Sequence, residues 1–131
     1  MSRLTATALY DGARRHLQAG EIDAAEMCCE ESIETDDGHA DSLNMMGTLL
    51  QLRKNYQAAI DWHTRAIQRE PKAEYITCLG MALQGAGLHD EAVKAFDQAL
   101  KLAPDNAEIW SGVGNALKQV GRVTEATNCL Q

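Results

Sequence analysis

The feature that most constrains this chain is an internal repeat with a period of about 34 residues. The stretch CLGMALQGAGLHDEAVKAF (residues 78–96) aligns without a gap with GVGNALKQVGRVTEATNCL (residues 112–130). Further steps towards the N-terminus, one of them a single residue shorter, meet several of the same small residues again. A unit this short cannot bury its apolar face alone, so it must stack on its neighbours. The period predicts a single array over residues 1–131, with repeats at about 6–39, 40–72, 73–106 and a truncated 107–131.

Each repeat is predicted to form two helices. In the third repeat, apolar or small residues from Ile76 to Leu83 have the i, i+3, i+4, i+7 spacing of one helical face. Gly87 then supplies the left-handed residue that ends a helix. Asp90 is expected to cap the next helix by accepting from its free backbone amides, and Asp23 has the same place in the first repeat. Alanine, leucine, glutamine and glutamate are common, which favours helix over sheet.

This pattern resembles the tetratricopeptide repeat over almost the whole chain. The family pattern is a large residue followed by x-x-Leu-Gly-x-x-Tyr, then Ala-x-x-x-Phe, then Pro. The third repeat carries it at Ile76, Leu79, Gly80, Leu83, Ala92, Phe96 and Pro104. The second carries it at Leu43, Met46, Gly47, Leu50, Ala59, His63 and Pro71, with His63 in place of the aromatic residue. The fourth carries it at Trp110, Val113, Gly114, Leu117, Ala126 and Leu130. The first keeps mainly the small residues, at Leu9, Gly12, Ala13, His16, Ala25 and Cys29.

The resemblance implies an all-α fold, a right-handed α-solenoid of tandem helix–turn–helix units. It is closest in character to bacterial tetratricopeptide arrays and to the repeats of O-linked N-acetylglucosamine transferases. The small residues have a mechanical role, because a side chain larger than a methyl group would hold two crossing helices apart. The positions predicted to mark such crossings are Gly47, Gly80, Gly114, Ala59, Ala92 and Ala126.

The resemblance also implies the function, a protein–protein interaction scaffold that binds peptide segments in the concave groove lined by the first helices. Mostly uncharged amides and hydroxyls there suit the backbone of an extended peptide. The predicted groove residues are Tyr10, Arg14, Leu17, Asn44, Thr48, Gln51, Thr77, Met81, Gln84, Ser111, Asn115 and Lys118.

Chaperone tails are not expected as ligands here, and the substrate-binding details of the glycosyltransferase repeats transfer only weakly to this chain. Family members that bind chaperone tails hold the terminal carboxylate with lysines, asparagines and an arginine. At each of these positions, this sequence has a residue type other than the one that those members have there. The matching residues are Tyr10, Arg14, Met45, Glu74 and Cys78. The asparagine ladder of the glycosyltransferase repeats is also missing, since its column reads Asp11, Met45, Cys78 and Gly112.

No catalytic constellation, metal-ligand pattern or cofactor motif occurs in the sequence, so the chain is not expected to be an enzyme. The four histidines fall in unrelated columns, and His16 and His63 are expected to be hydrogen-bonded core residues. The four cysteines contain no C-x-x-C and are expected to be free thiols in a reducing compartment.

The net charge of −7 argues against nucleic acid as a partner, because phosphates would be repelled. No apolar run reaches the ~20 residues of a membrane span and no signal peptide is evident, so a cytoplasmic protein is expected. Residues 1–39 hold nine acidic and three basic residues. The acidic stretch Glu26–Asp41 dominates the charge. It is either a solvated outer face or a docking site for a basic partner.

Two geometric predictions follow from the lengths of the repeats. The second repeat, 40–72, is one residue shorter than the third, so the helix that begins near Ala73 should follow a shorter linker or lose part of its first turn. In the last repeat, Gly121 and Thr124 should form the turn to a second helix of which only eight residues are present. We therefore expect a fragment of a longer protein, a Trp110 that has lost part of its cover, and a homo-oligomer formed through this exposed end.

Two other functions remain open at this point. The residues could form the N-terminal targeting or substrate-recruiting arm of a larger enzyme, such as a glycosyltransferase. They could also form a self-assembling scaffold whose partner is a second copy.

Overall fold

The structure, a computed structural model, describes the backbone of residues 4–129 and the side chains of residues 4–121. This part of the chain contains seven α-helices and no strand. The helices are α1 (Ala6–Gln18), α2 (Ile22–Thr35), α3 (Ala40–Leu52), α4 (Tyr56–Arg69), α5 (Ala73–Gly85), α6 (His89–Leu102) and α7 (Ala107–Cys129). The predicted all-α fold of tandem helix–turn–helix repeats is confirmed.

The chain divides into two compact units. The N-terminal unit, Met1–Pro71, contains α1 to α4, and the C-terminal unit, Lys72–Gln131, contains α5 to α7. Within each unit, every helix packs against the next one along the chain. The pairs α1–α2, α3–α4 and α5–α6 each lie inside one predicted repeat, while the description of residues 1–131 as a single array stays a prediction.

Three turns of the same form join these helix pairs. Each has three residues, and the middle one has a positive φ: Gly20 at 80°, Lys54 at 62° and Gly87 at 83°. The left-handed role predicted for Gly87 is confirmed. Lys54 has the same conformation although a Cβ makes it unfavourable.

The corresponding turn predicted at Gly121 is wrong, because α7 runs without interruption from Ala107 to Cys129. Elsewhere three buried side chains at equivalent repeat positions hold a second helix against the first, as Ala92, Phe96 and Ala99 do in α6. Residues 122–129 contain only the first of these positions, so folding back would bury little. Continuing the helix keeps one backbone hydrogen bond per residue at a cost of ~1 kcal/mol for the glycine.

Trp110, near the start of α7, is 55% exposed, and its indole Nε1 donates to the carbonyl of Pro104 at 2.8 Å. The side chains of Ala126 and Leu130, the apolar stripe predicted for a further helix, lie outside the described residues. The homo-oligomer expected from this end stays a prediction.

The helix caps predicted at Asp23 and Asp90 are also wrong. The N-cap residues of α2 and α6 are Glu21 and Leu88, and neither makes a side-chain cap hydrogen bond. Both aspartates instead lie in the first turn, where a carboxylate is stabilised by the helix dipole. The three-residue turn begins each helix two residues earlier than a capping aspartate would.

The prediction of a shorter linker before α5 is confirmed. Three residues, 70–72, separate α4 from α5, whereas four residues, 103–106, separate α6 from α7. The longer linker ends in Asn106, whose Oδ1 accepts from the backbone N–H of Glu108 at 3.0 Å. The shorter one ends in Lys72, which provides no side-chain cap.

Two of the predicted helix crossings are confirmed. A Cβ at Gly47 would lie 2.7 Å from the ring of His63, and a Cβ at Gly80 would lie 2.9 Å from the ring of Phe96. The alanines predicted at the same crossings, Ala59 and Ala92, are fully buried.

The crossing predicted at Gly114 is wrong, since a Cβ there would meet no atom of the described residues within 4 Å. The reason is again α7, because a helix that continues straight cannot fold back across this glycine. Gly112 makes the close approach instead, with its hypothetical Cβ 2.7 Å from Phe96.

A buried polar network joins the first three helices of the N-terminal unit. The hydroxyls of Ser32 and Ser42 are 2.5 Å apart, and that of Ser32 donates to the carbonyl of Ala6 at 2.8 Å. His39 Nδ1 lies 2.7 Å from the Ser42 hydroxyl, and the thiol of Cys29 donates to the Ser42 carbonyl. Both serines are fully buried, so the network satisfies polar groups that would otherwise be costly in this position.

Candidate functional site

Half of the predicted groove residues belong to α1 and α3 in the N-terminal unit. Tyr10 and Leu17 are half-buried and pack against the apolar core of this unit. Arg14 is exposed, with its guanidinium 5.8 Å from the centroid of the Tyr10 ring. On α3, Thr48 and Gln51 are half-buried. These side chains are available to a ligand only in part.

Asn44 is the least accessible of the predicted groove residues, at 8% exposed. Its Oδ1 lies 2.7 Å from His63 Nδ1, which therefore carries the proton and donates. Burial lowers the pKa of His63 to about 4, so the ring is neutral at neutral pH. The expected core role of His63 is confirmed, and Asn44 orients its ring. His16, expected to be a core residue too, is only half-buried and lies 3.7 Å from the carboxylate of Glu21.

The other half of the predicted groove residues belong to α5 and α7 in the C-terminal unit. Met81 is 49% exposed, while Thr77 and Gln84 are half-buried. The hydroxyl of Thr77 donates to the carbonyl of Ala73 at 2.7 Å, so its oxygen remains an acceptor for a ligand. The α7 members are exposed, namely Ser111, Asn115 and Lys118.

A pocket of about 250 Å³ lies between α5, the linker before α7 and the first turn of α7. Its lining residues are Glu74, Thr77, Cys78, Met81, Asn106, Glu108 and Ile109. Thr77 and Met81 are thus the two predicted groove residues that the structure brings together in this pocket. The sequence offered a signal for Glu74 and Cys78, which occupy family binding columns. It offered none for the α7 residues, whose position depends on the linker.

The pocket combines an apolar wall with acidic groups at its edge. Met81 and the buried Ile109 form apolar surface, and Glu74 and Glu108 are exposed carboxylates. Neither glutamate has an ion-pair partner among the described residues. Asn106 uses its amide oxygen to cap α7, which leaves its NH₂ group as a donor. Such a pocket suits a polypeptide with a basic side chain and disfavours a carboxylate.

Outside this pocket, the described residues include a cysteine, Cys29, whose thiol is unreactive. Burial raises the pKa of the Cys29 thiol to about 12, with Glu30 and Glu26 adding to the shift, so this thiol is not nucleophilic. Cys28, Cys29 and Cys78 are free thiols. Among the described residues, no group of three or more histidine, cysteine, aspartate or glutamate side chains is placed to hold a metal ion. No helix in the described range has the length and apolar character needed to cross a membrane.

Comparisons with known proteins agree with this architecture. A family model described as "Tetratricopeptide repeat" matches residues 39–69, and one described as "TPR repeat" matches residues 86–130, together more than half of the chain. The small glutamine-rich tetratricopeptide repeat-containing protein 2 of Mycosarcoma maydis is 31% identical over 99 residues, which are 75% of this chain and 28% of that protein. The chain thus spans less than a third of this relative.

Solved structures show the same fold. An O-GlcNAc transferase mutant from Thermobaculum terrenum superposes with a TM-score of 0.84 at 27% identity, over 89% of this chain and 23% of that one. The first repeat domain of Spaghetti (RPAP3), bound to the HSP90 peptide SRMEEVD, superposes with a TM-score of 0.84 at 17% identity. That match covers 89% of this chain and 94% of that chain.

Proposed function

Because this chain belongs to the tetratricopeptide repeat family, we propose that it is a protein-interaction scaffold that binds peptide segments on the groove formed by its first helices. The observation that carries the proposal is the pocket between α5 and α7, where the predicted groove residues Thr77 and Met81 meet an open, partly apolar surface. Peptide binding by the repeat domain of Spaghetti supports the same general mode.

The pocket defines the chemistry of the proposed peptide. Glu74 and Glu108 attract a lysine or arginine side chain, and Met81 offers apolar contact to its aliphatic stem. The Asn106 NH₂ group and the Thr77 oxygen serve the peptide backbone as donor and acceptor. A peptide ending in an acidic tail such as SRMEEVD would place its carboxylates against two glutamates. We therefore expect this chain not to bind that peptide.

The experiment is an array of basic peptides probed with the full chain and two matched variants. Met81→Ala truncates the exposed side chain at the pocket, and Leu102→Ala truncates one of similar exposure on α6, outside the pocket lining. We expect Met81→Ala to weaken peptide binding by about three- to tenfold, which corresponds to losing part of one apolar contact. Leu102→Ala should bind as the natural chain does.

A second pair of variants tests whether Glu74 and Glu108 attract basic peptides. Glu74→Gln with Glu108→Gln should reduce the preference for basic peptides, whereas Glu91→Gln with Asp97→Asn removes two exposed charges from α6 and should not. Equal binding by all four variants would refute the proposed site. Tight binding of SRMEEVD would refute its chemistry.

The likeness to the O-GlcNAc transferase supports a second proposal, that the chain acts as the recruiting arm of a larger enzyme. Coding sequence that continues past Gln131 into a transferase domain would support it, and a stop codon there would refute it.

A further inference from the structure

A second groove lies in the N-terminal unit, on a surface formed by α2, α3 and α4. Its volume is about 370 Å³. The residues that line it are Glu26, Glu30, Ile33, Glu34, Met46, Leu50 and Trp62. We refer to it as the acidic groove.

The acidic groove lies on a different side of α3 from the predicted peptide groove. Successive residues of an α-helix are separated by about 100°, so Met46 and Leu50 project roughly opposite to Asn44 and Thr48. The other lining residues belong to α2 and α4, the second helices of their repeats. A ligand in this groove therefore need not compete with one bound on the first helices.

The floor of the acidic groove is apolar and only partly covered. Met46 is buried, whereas Ile33, Leu50 and Trp62 are half-buried and accessible within the groove. The guanidinium of Arg65 lies 4.3 Å from the centroid of the Trp62 ring, so the two side chains form a cation–π interaction. Covering the rest of the ring with an apolar group would remove further apolar surface from water.

The rim is acidic, and most of its charge is not neutralised by the protein itself. Glu26 is paired with Arg53, whose guanidinium is 2.8 Å away and also contacts Asp23. Glu30 and Glu34 are exposed and have no ion-pair partner among the described residues. They are one helical turn apart, with their Cβ atoms ~6 Å from each other. This spacing matches two basic side chains on one turn of a partner helix.

We propose that the acidic groove is a docking site for a basic amphipathic helix of another protein. Lysine or arginine side chains pair with Glu30 and Glu34, and an apolar side chain of the partner covers Leu50 and Trp62. An acidic or purely apolar partner would desolvate these carboxylates without compensating them. A second copy of the chain is disfavoured by its net charge of −7.

The test uses a synthetic helical peptide with lysines on one face and leucines on the other, and reads binding at Trp62. The chain has two tryptophans, so the full-length Trp110→Phe variant leaves Trp62 as the only indole. Trp110 is largely exposed, so this change should not disturb the core. Peptide binding should shift the Trp62 emission, and the affinity should fall as salt is raised. A peptide with glutamate in place of lysine should produce no shift.

Charge-matched variants in the Trp110→Phe chain make the test specific. Glu30→Gln with Glu34→Gln should weaken peptide binding by about three- to tenfold at low salt. The control Glu91→Gln with Asp97→Asn removes the same amount of charge from α6 and leaves the acidic groove unchanged. It should change the affinity by less than about twofold, because only the net charge of the chain differs. An unchanged Trp62 emission with the lysine peptide would overturn the proposal, as would equal weakening by both double variants. Neither result bears on the pocket at Met81, which the basic peptide array tests separately.

Discussion

The two units place different side chains in the same structural position. His63 of α4 and Phe96 of α6 occupy equivalent columns of the repeat, and both are fully buried. Each ring presses against a glycine of the preceding helix, Gly47 for His63 and Gly80 for Phe96. The close approach is therefore set by the glycine and by a flat ring of suitable size, whatever the polarity of that ring.

The difference lies in electrostatics. Phe96 needs no hydrogen bond, whereas His63 donates to Asn44 and keeps a buried Nε2 without a hydrogen-bond partner among the described residues. Burying that nitrogen costs free energy, and protonating it costs more, which is why the pKa of His63 falls to about 4. The N-terminal unit thus has a source of acid sensitivity that the phenylalanine position lacks.

The largest effect is expected from removing the apolar ring. Phe96→Ala leaves a cavity between Gly80 and Gly112, and should lower the free energy of unfolding by about 3–5 kcal/mol. Urea denaturation followed by circular dichroism measures this loss. Leu102→Ala, at an exposed position on α6, should change stability by less than about 0.5 kcal/mol. A loss below about 1 kcal/mol for Phe96→Ala would mean that the ring is not an anchor.

Acid should destabilise the chain through the histidine. His63 binds a proton with a pKa near 6.5 when unfolded but about 4 when folded, so the unfolded state binds more protons between these values. The stabilisation that neutral His63 contributes to the free energy of unfolding is fully present above about pH 6.5. It is lost as the pH falls, and the loss levels off below about pH 4. From pH 7 to pH 5 we expect a loss of about 2 kcal/mol, measured by urea denaturation at each pH.

His63→Phe is the control, because it copies the ring of the C-terminal unit into the N-terminal one. This variant should lose about 2 kcal/mol less than the natural chain between pH 7 and pH 5. The same pH dependence in both proteins would assign the acid sensitivity to other groups.

Two glycine substitutions should have opposite signs. Gly80→Ala places a methyl group 2.9 Å from the Phe96 ring and should destabilise by at least about 1 kcal/mol. Gly114→Ala would meet no atom within 4 Å in the part of the chain that the structure describes. It lies inside α7, where alanine is the better helix former, and should stabilise by up to about 1 kcal/mol. Thermal melts of both variants give the comparison. Destabilisation by Gly114→Ala would instead support the helix crossing that the sequence predicted at this glycine.

The smallest effect is expected at the turns. Lys54→Gly relieves a left-handed lysine and should stabilise the chain by a few tenths to about 1 kcal/mol, since glycine's greater unfolded freedom offsets part of the gain. Gly87→Ala imposes the same conformation on a residue with a Cβ and should destabilise by about 1 kcal/mol. If both changes act in the same direction, backbone strain does not control these turns.

The helical architecture could be predicted because it repeats. The left-handed turn at Gly87, the crossings at Gly47 and Gly80 and the shortened linker before α5 all follow from comparing one repeat with the next. Each of these features depends on local backbone conformation or on a single pair of packed helices. Such features leave a direct trace in residue type and spacing.

The features that were missed depend on what packs around them. A glycine at position 121 permits a turn without forcing one, and α7 continues through it without interruption. The burial of Asn44 depends on the histidine beside it, which the family pattern does not contain. The pocket next to Met81 needs the position of the α7 linker, and the acidic groove needs three helices together. None of these features can be predicted from the residue type at a single position of the repeat.

The pair of hydroxyls at Ser32 and Ser42 bears on whether the repeats could be interchanged. The equivalent positions between α6 and α7 are held by Ala99 and Ile109, both buried and apolar. A chimera that joined α2 to α7 would place a buried serine hydroxyl opposite a hydrocarbon, and one that joined α6 to α3 would leave Ser42 with one partner fewer. The α2–α3 contact is therefore polar at these positions, and the α6–α7 contact is apolar. Exchanging repeats within this chain would require partners of the same polarity at these positions.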